Sequence, residues 1–151
     1  MKIIEVTDRD SLLLERLLEV WESSVRATHL FLSKDEIKDI KKYVSQALKE
    51  IPHLIIIEND NHIPVGFMGI VVQHLEMLFI SHNERGKGFG KELLKYGIKK
   101  YSISDLAVND QNPLAKGFYE YMEFEVYKRT ECDEQGNPYS LLYMKRINQC
   151  L

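Results

Sequence analysis

The chain has 151 residues, 44% of them hydrophobic and 28% charged, with 20 Lys+Arg against 23 Asp+Glu for a formal charge of −3. This length fits one domain spanning 1–151, and the composition excludes a disordered or fibrous chain. A slightly acidic balance argues against a nucleic-acid partner, which needs a basic face. Cys132 and Cys150 are too few for a disulfide framework and lack metal-ligand spacing, so a reducing, cytoplasmic location is expected and no metal. No apolar run approaches the ~20 residues needed to span a bilayer, and the start turns acidic at Glu5, Asp8 and Asp10, unlike a signal peptide.

Ile3, Ile4 and Val6 suggest a first strand that ends at Thr7-Asp8. Leu14, Leu17, Leu18, Trp21 and Val25 then recur with helical spacing. A second helix opens at Ser33, where Glu36 completes a capping box, and its apolar face runs through Ile37, Ile40, Val44 and Leu48. Leu54-Ile55-Ile56-Ile57 is a continuous β-branched run, the mark of a strand covered on both faces. After the Asn59-Asp60-Asn61 turn, Val65 to Val72 and Leu75 to Ile80 read as two more strands, making an antiparallel meander.

Glycines at 86, 88 and 90 break the β pattern, and Leu94, Ile98 and Tyr101 mark a helix behind them. Ile103 to Val108 reads as a strand. Asn112-Pro113 starts another helix, since Asn caps and Pro gives up an N–H that has no helical partner there. Leu114, Ala115, Phe118, Tyr119 and Met122 form its inner face. Phe124 to Thr130 and Tyr139 to Met144 flank a polar loop, as in a terminal hairpin whose exposed strands could pair between chains. The chain is therefore expected to be a monomer or a homodimer.

The most informative stretch is Arg85-Gly86-Lys87-Gly88-Phe89-Gly90-Lys91, which joins a predicted strand to a predicted helix. Glycines let backbone approach a ligand, and free N–H groups at the helix start favour an anion, with Arg85, Lys87 and Lys91 adding charge. Spacing excludes two nucleotide motifs. The Walker pattern is absent, and Lys91 stands where a dinucleotide fingerprint needs its third glycine.

Arg85-x-x-Gly88-x-Gly90 resembles the [Q/R]-x-x-G-x-[G/A] motif of the GNAT family, the Gcn5-related N-acetyltransferases. The stretch from Val108 through Asn109, Asn112 and Ala115 to Phe118-Tyr119 is similar to that family's V-N-x-x-N-x-x-A-x-x-F-Y segment. Trp21, Ser24 to His29 and Phe31-Leu32 further resemble a subgroup of small bacterial members. This resemblance implies an α/β (α+β) fold: a mixed, mostly antiparallel sheet of about six to seven strands with about four helices, splayed into a V between the fourth and fifth strands. It also implies acetyl-coenzyme A, with pantetheine beside Leu78, Phe79 and Ile80 and the diphosphate over Gly86, Lys87, Gly88, Phe89 and Gly90. Asn109 and Asn112 would contact the cofactor arm, near Ala115 and Phe118. Glu123 replaces the family's usual glycine before the last Phe, and Ser81-His82-Asn83 replaces an acidic-proline turn.

The implied reaction is direct acetyl transfer to the primary amine of a small molecule, peptide or protein, whose identity the sequence leaves open. Tyr119 holds the family's general-acid position; its helical spacing equally suits a core tyrosine. His74, Glu76, Leu78 and Ile80 share one strand face by period-2 geometry, making His74 or Glu76 candidate bases, with water or solvent-facing roles as alternatives. Trp21, Arg26, His29 and Phe31 are candidate acceptor contacts from the N-terminal helices. The alternative to an enzyme is a non-catalytic sensor or interaction module that binds coenzyme A.

Overall fold

The computed structural model describes residues 1–28 and 32–147. Strand β1 (Lys2–Glu5) leads to helices α1 (Ser11–Thr28) and α2 (Lys34–Glu50), followed by the meander β2 (His53–Glu58), β3 (Pro64–Val71) and β4 (His74–Ile80). A single 3₁₀ turn at His82–Glu84 precedes α3 (Phe89–Tyr101), β5 (Asp105–Asn109), α4 (Pro113–Tyr121), β6 (Phe124–Thr130) and β7 (Leu141–Arg146). The seven strands form one sheet in the order β1-β2-β3-β4-β5-β7-β6, antiparallel except between β4 and β5.

The starts of α1, α2 and α4 follow side-chain capping. Asp10 accepts the N–H of Leu13 at 2.8 Å before α1. Ser33 and Glu36 exchange the two bonds of the expected capping box before α2, at 3.1 and 3.0 Å. Asn112 accepts the N–H of Ala115 at 3.3 Å, with Pro113 as the first residue of α4.

The sheet separates two apolar cores. Leu17, Val20, Trp21, Val44 and Leu48 from α1 and α2 pack on Leu54, Ile56 and Phe67. Leu93, Leu94 and Tyr119 from α3 and α4 pack on Ile55, Ile57, Met68 and Leu106. Alternation along β2 thus sends its four apolar side chains to both layers, each burial contributing roughly 1.5–3 kcal/mol.

β4 does not alternate throughout. Gly69 pairs with Met77 and Ile70 with Leu75, so Glu76 is an extra residue bulged out of the ladder. The bulge reverses the strand's faces. Leu75 packs with the α3–α4 core, whereas Met77, only two residues on, packs with the α1–α2 core. The period-2 expectation that Glu76 shares a face with Leu78 and Ile80 is thereby corrected: Leu78 and Ile80 pack toward α3 and α4.

β4 and β5 pair only at His74↔Asp105 and Leu75↔Leu106. Beyond Leu75 they separate, forming the V that the resemblance implies. At the chain's other end, β7 begins at Leu141, two residues later than expected. Asp133 accepts the N–H groups of Gln135 and Asn137 at 3.0 and 2.8 Å, and the Tyr139 hydroxyl donates to Glu36, so Tyr139 leaves the ladder.

Candidate active site

On the α3–α4 side, the opening between β4 and β5 becomes a cavity of about 400 Å³. It is lined by Leu78, Phe79 and Ile80 from β4, by Arg85, Gly86, Gly88, Phe89, Gly90 and Lys91 from the turn and α3, and by Asn112, Ala115, Phe118 and Tyr119. These distant segments were each singled out in the sequence, and the fold brings them to one place. Its walls suit a long, jointed ligand. The β4 edge facing the split has no strand partner beyond Leu75, leaving backbone groups for an extended amide chain.

Gly86 and Gly88 have φ of +76° and +88°, and a Cβ at either would have no heavy atom within 4 Å. Gly88 is the residue before α3, so the turn presents backbone and the helix's first N–H groups to open space. Arg85 reaches across to Ser24 on α1, its Nη2 donating to Oγ at 2.9 Å; partial burial lowers its pKa. Lys91 donates to the Tyr121 hydroxyl at 3.1 Å while lining the cavity. Lys87 does not line it and instead pairs with Glu84 at 3.0 Å. Ser24, Thr28, Glu84 and Leu114 also line it, none of them expected at the cofactor site; Leu114, expected on the inner face of α4, is 71% exposed.

Tyr119 is 7% exposed and lines this cavity from α4. Phe118 and Phe124 hold its ring edge-on, with centroids 5.2 and 6.1 Å away. Burial drives its pKa well above the ordinary phenol value, so the hydroxyl stays protonated and able to donate at neutral pH. It can thus be both packed and chemically competent.

A second cavity, of about 560 Å³, lies on the α1–α2 side of the split. Phe79 lines both cavities, so both border β4 at that residue. Trp21 and Glu76 line the second one, as does Asn109. Asn109 therefore departs from its expected place along the cofactor arm; its Oδ1 accepts the N–H of Gln111 at 3.0 Å. His74 lines neither cavity but sits behind Glu76, with Nε2 3.4 Å from Glu76 Oε2 and Nδ1 3.1 Å from Asp105 Oδ1. Arg26 also lines neither, lying 3.6 Å from Glu22 on the outer surface of α1. His29 and Phe31 fall outside the described residues.

Glu36, Asp39, Tyr43, Asp133 and Tyr139 complete the second cavity and were missed in the sequence. The Ser33–Glu36 capping box identified Glu36 only as a helix start. Nothing local signals that the loop before β7 crosses to α2. Among the described residues, no group of three or more His, Cys, Asp and Glu could hold a metal ion, and no helix is long and apolar enough to cross a membrane.

A split β4–β5 pair, with a glycine turn capping a helix at its mouth, is the architecture of an acyl-coenzyme A-binding transferase. Residues 28–144 match the family model described as an acetyltransferase (GNAT) domain. The chain is 41% identical over 128 residues to the peptidyl-lysine N-acetyltransferase YjaB of Salmonella typhimurium, covering 85% of this chain and 88% of that protein. Its Escherichia coli counterpart is 39% identical over 133 residues, covering 88% and 90%. The solution structure of apo YjaB from Escherichia coli superposes with a TM-score of 0.86 at 36% identity, over 99% of this chain and 100% of that one. The PaiA N-acetyltransferase of Thermoplasma acidophilum, solved with coenzyme A, shares the fold with a TM-score of 0.67 at 21% identity, over 96% and 99%. The chain belongs to the GNAT acetyltransferase family and is an acetyl-coenzyme A-dependent N-acetyltransferase.

Proposed function

We propose that the acceptor is a lysine side chain of a peptide or protein, entering through the second cavity while acetyl-coenzyme A occupies the first. The observation that carries this reading is that Phe79 lines both cavities, with Tyr119 in the first and Glu76 in the second. Its support from relatives is their activity on peptidyl-lysine. A lysine side chain suits the second cavity because its apolar stem can lie on Trp21, Met77 and Phe79 while its nitrogen reaches the split.

Bound acetyl-coenzyme A supplies an acetyl group activated as a thioester. The backbone of β4 from Leu78 to Ile80 orients its arm, and the amides of Gly86 to Gly90, with Arg85 and Lys91, hold its diphosphate. Glu76 accepts the proton that the lysine ammonium must lose before attack, directly or through water, and His74, lying between Glu76 and Asp105, is placed to take that proton on. Tyr119 donates its hydroxyl proton to the departing sulfur and regains one from the nitrogen, which sheds its second proton as the amide forms.

Incubation with acetyl-coenzyme A and a peptide with a blocked N-terminus and one lysine tests this reading. Thiol release, with a matching acetyl mass on the lysine Nε, is the expected result. Acetylation confined to N-terminal or small-molecule amines would overturn the lysine assignment. Tight coenzyme A binding with no amine-dependent thiol release would favour the sensor.

A further inference from the structure

The second cavity carries more negative charge than one amine can answer. Glu36, Asp39, Glu76 and Asp133 line it, and among the described residues it has no Lys, Arg or His. The reactive nitrogen must also be uncharged when it attacks, so it cannot balance these groups at the moment of transfer.

The carboxylates are held in two places. Glu76 projects from the β4 bulge near the split. Glu36 and Asp39, three residues apart on α2, both border the cavity, Asp39 from the exposed side of the helix. Tyr139 donates its hydroxyl to Glu36 and so ties α2 to the loop carrying Asp133. The same bond holds the Glu36 carboxyl below its usual pKa, keeping it ionised at neutral pH. Trp21, Tyr43 and Phe79 add an aromatic wall to the same cavity of about 560 Å³.

Resting on the reading of this cavity as the acceptor site, we infer that Glu36, Asp39 and Asp133 select acceptors with a second positive charge beside the reactive lysine, such as a neighbouring arginine or lysine. A basic neighbour gains attraction to these three carboxylates, and among the described residues no Lys, Arg or His lines the cavity to compete. An acidic neighbour meets like charge and is disfavoured.

Two peptides with blocked N-termini test this, each with one lysine flanked by arginines or by glutamates. The arginine peptide should be favoured by at least about tenfold in kcat/KM, with the advantage shrinking as salt rises. Asp39→Asn combined with Asp133→Asn should shrink that ratio severalfold. The exposed Asp39→Lys, alone, should move it toward the glutamate peptide. A wild-type ratio near one, or a ratio unchanged in all these variants, would overturn the inference. If neither peptide is acetylated, the lysine reading fails instead. Acetylation of 1,5-diaminopentane against pentylamine then decides the charge inference: a preference for the diamine upholds it, and equal or absent acetylation overturns it.

Discussion

Ser24 Oγ accepts a hydrogen bond from Arg85 Nη2 at 2.9 Å, and Ser24 is only 2% exposed. The adjacent residue acts similarly: Ser23 Oγ accepts the N–H of His82 at 3.0 Å. One face of α1 therefore braces the turn that leads into the glycine loop, while Trp21 and Val25 on the same helix line the acceptor cavity. Ser24→Ala should free Arg85 and raise the KM for acetyl-coenzyme A about tenfold, as expected for losing a hydrogen bond to a charged group. Acetyl-pantetheine lacks the diphosphate and should show little change. Equal losses for both thioesters would mean that Ser24 supports the fold and has no particular role in placing Arg85.

Gly88 stands at φ +88°, and the space above its Cα holds no protein atom. Gly88→Val would put a branched side chain into that space and impose strain on a residue that must remain left-handed. Coenzyme A affinity should fall strongly, as measured by calorimetry on protein whose circular dichroism shows it folded. Unchanged affinity would move the diphosphate away from this turn.

Arg26 illustrates how a suggestive residue loses its role once placed. It lies 3.6 Å from Glu22, is about half exposed and borders neither cavity. Such surface pairs contribute about 0–1 kcal/mol. Arg26→Ala should leave the KM for the lysine peptide within about twofold of wild type and barely move the melting temperature. A tenfold rise in that KM would return Arg26 to the acceptor site.

Glu123, where the family's usual residue is glycine, adopts φ +68° after α4 and is exposed. A left-handed conformation costs a non-glycine residue roughly 1–2 kcal/mol, partly offset by glycine's greater freedom in the unfolded chain. Glu123→Gly should therefore raise the melting temperature by about 1–3 °C. A lower melting temperature would show that the Glu123 side chain stabilises the turn by more than its backbone strain costs.

The elements legible in the sequence were those with strong local signals. Ser33 with Glu36 marked a helix start, the Leu54 to Ile57 run marked a two-sided strand, and Asn112-Pro113 marked α4. Much of the cofactor cavity was legible too, because its glycine turn and the Asn112 to Tyr119 segment are each continuous in sequence. The acceptor cavity was not. Its face of β4 depends on the Glu76 bulge, and one extra residue in a ladder leaves no compositional trace. Its far wall depends on Tyr139 reaching Glu36, a contact between residues 103 positions apart. Period-2 reasoning could not detect the first, and no local pattern reports the second.

Tyr119 offers the sharpest test of the chemistry. Tyr119→Phe preserves the ring between Phe118 and Phe124 and deletes only the hydroxyl, so folding and coenzyme A affinity should survive. General-acid contributions are typically ~100 to 10,000-fold, and a thiolate is a good leaving group, so kcat should fall by about 100-fold. KM for either substrate should change little, because the interaction strengthens as charge gathers on sulfur. The pH dependence separates this role from a base. Burial raises the Tyr119 pKa, so the hydroxyl remains a donor through the ordinary phenol range near pH ~10. Wild-type kcat should accordingly rise as the bound amine loses its proton and show no fall near that pH. The sign for stability is the same. The unfolded chain ionises Tyr119 first, so its contribution is complete below about pH 10 and is lost as pH climbs from there toward the raised folded value. Single-turnover measurements at saturating acetyl-coenzyme A keep product release from hiding the chemical step. A Tyr119→Phe protein that transfers acetyl at the wild-type single-turnover rate would assign Tyr119 to packing alone, and the sulfur would then take its proton from water or from the nitrogen that turns cationic once it has attacked.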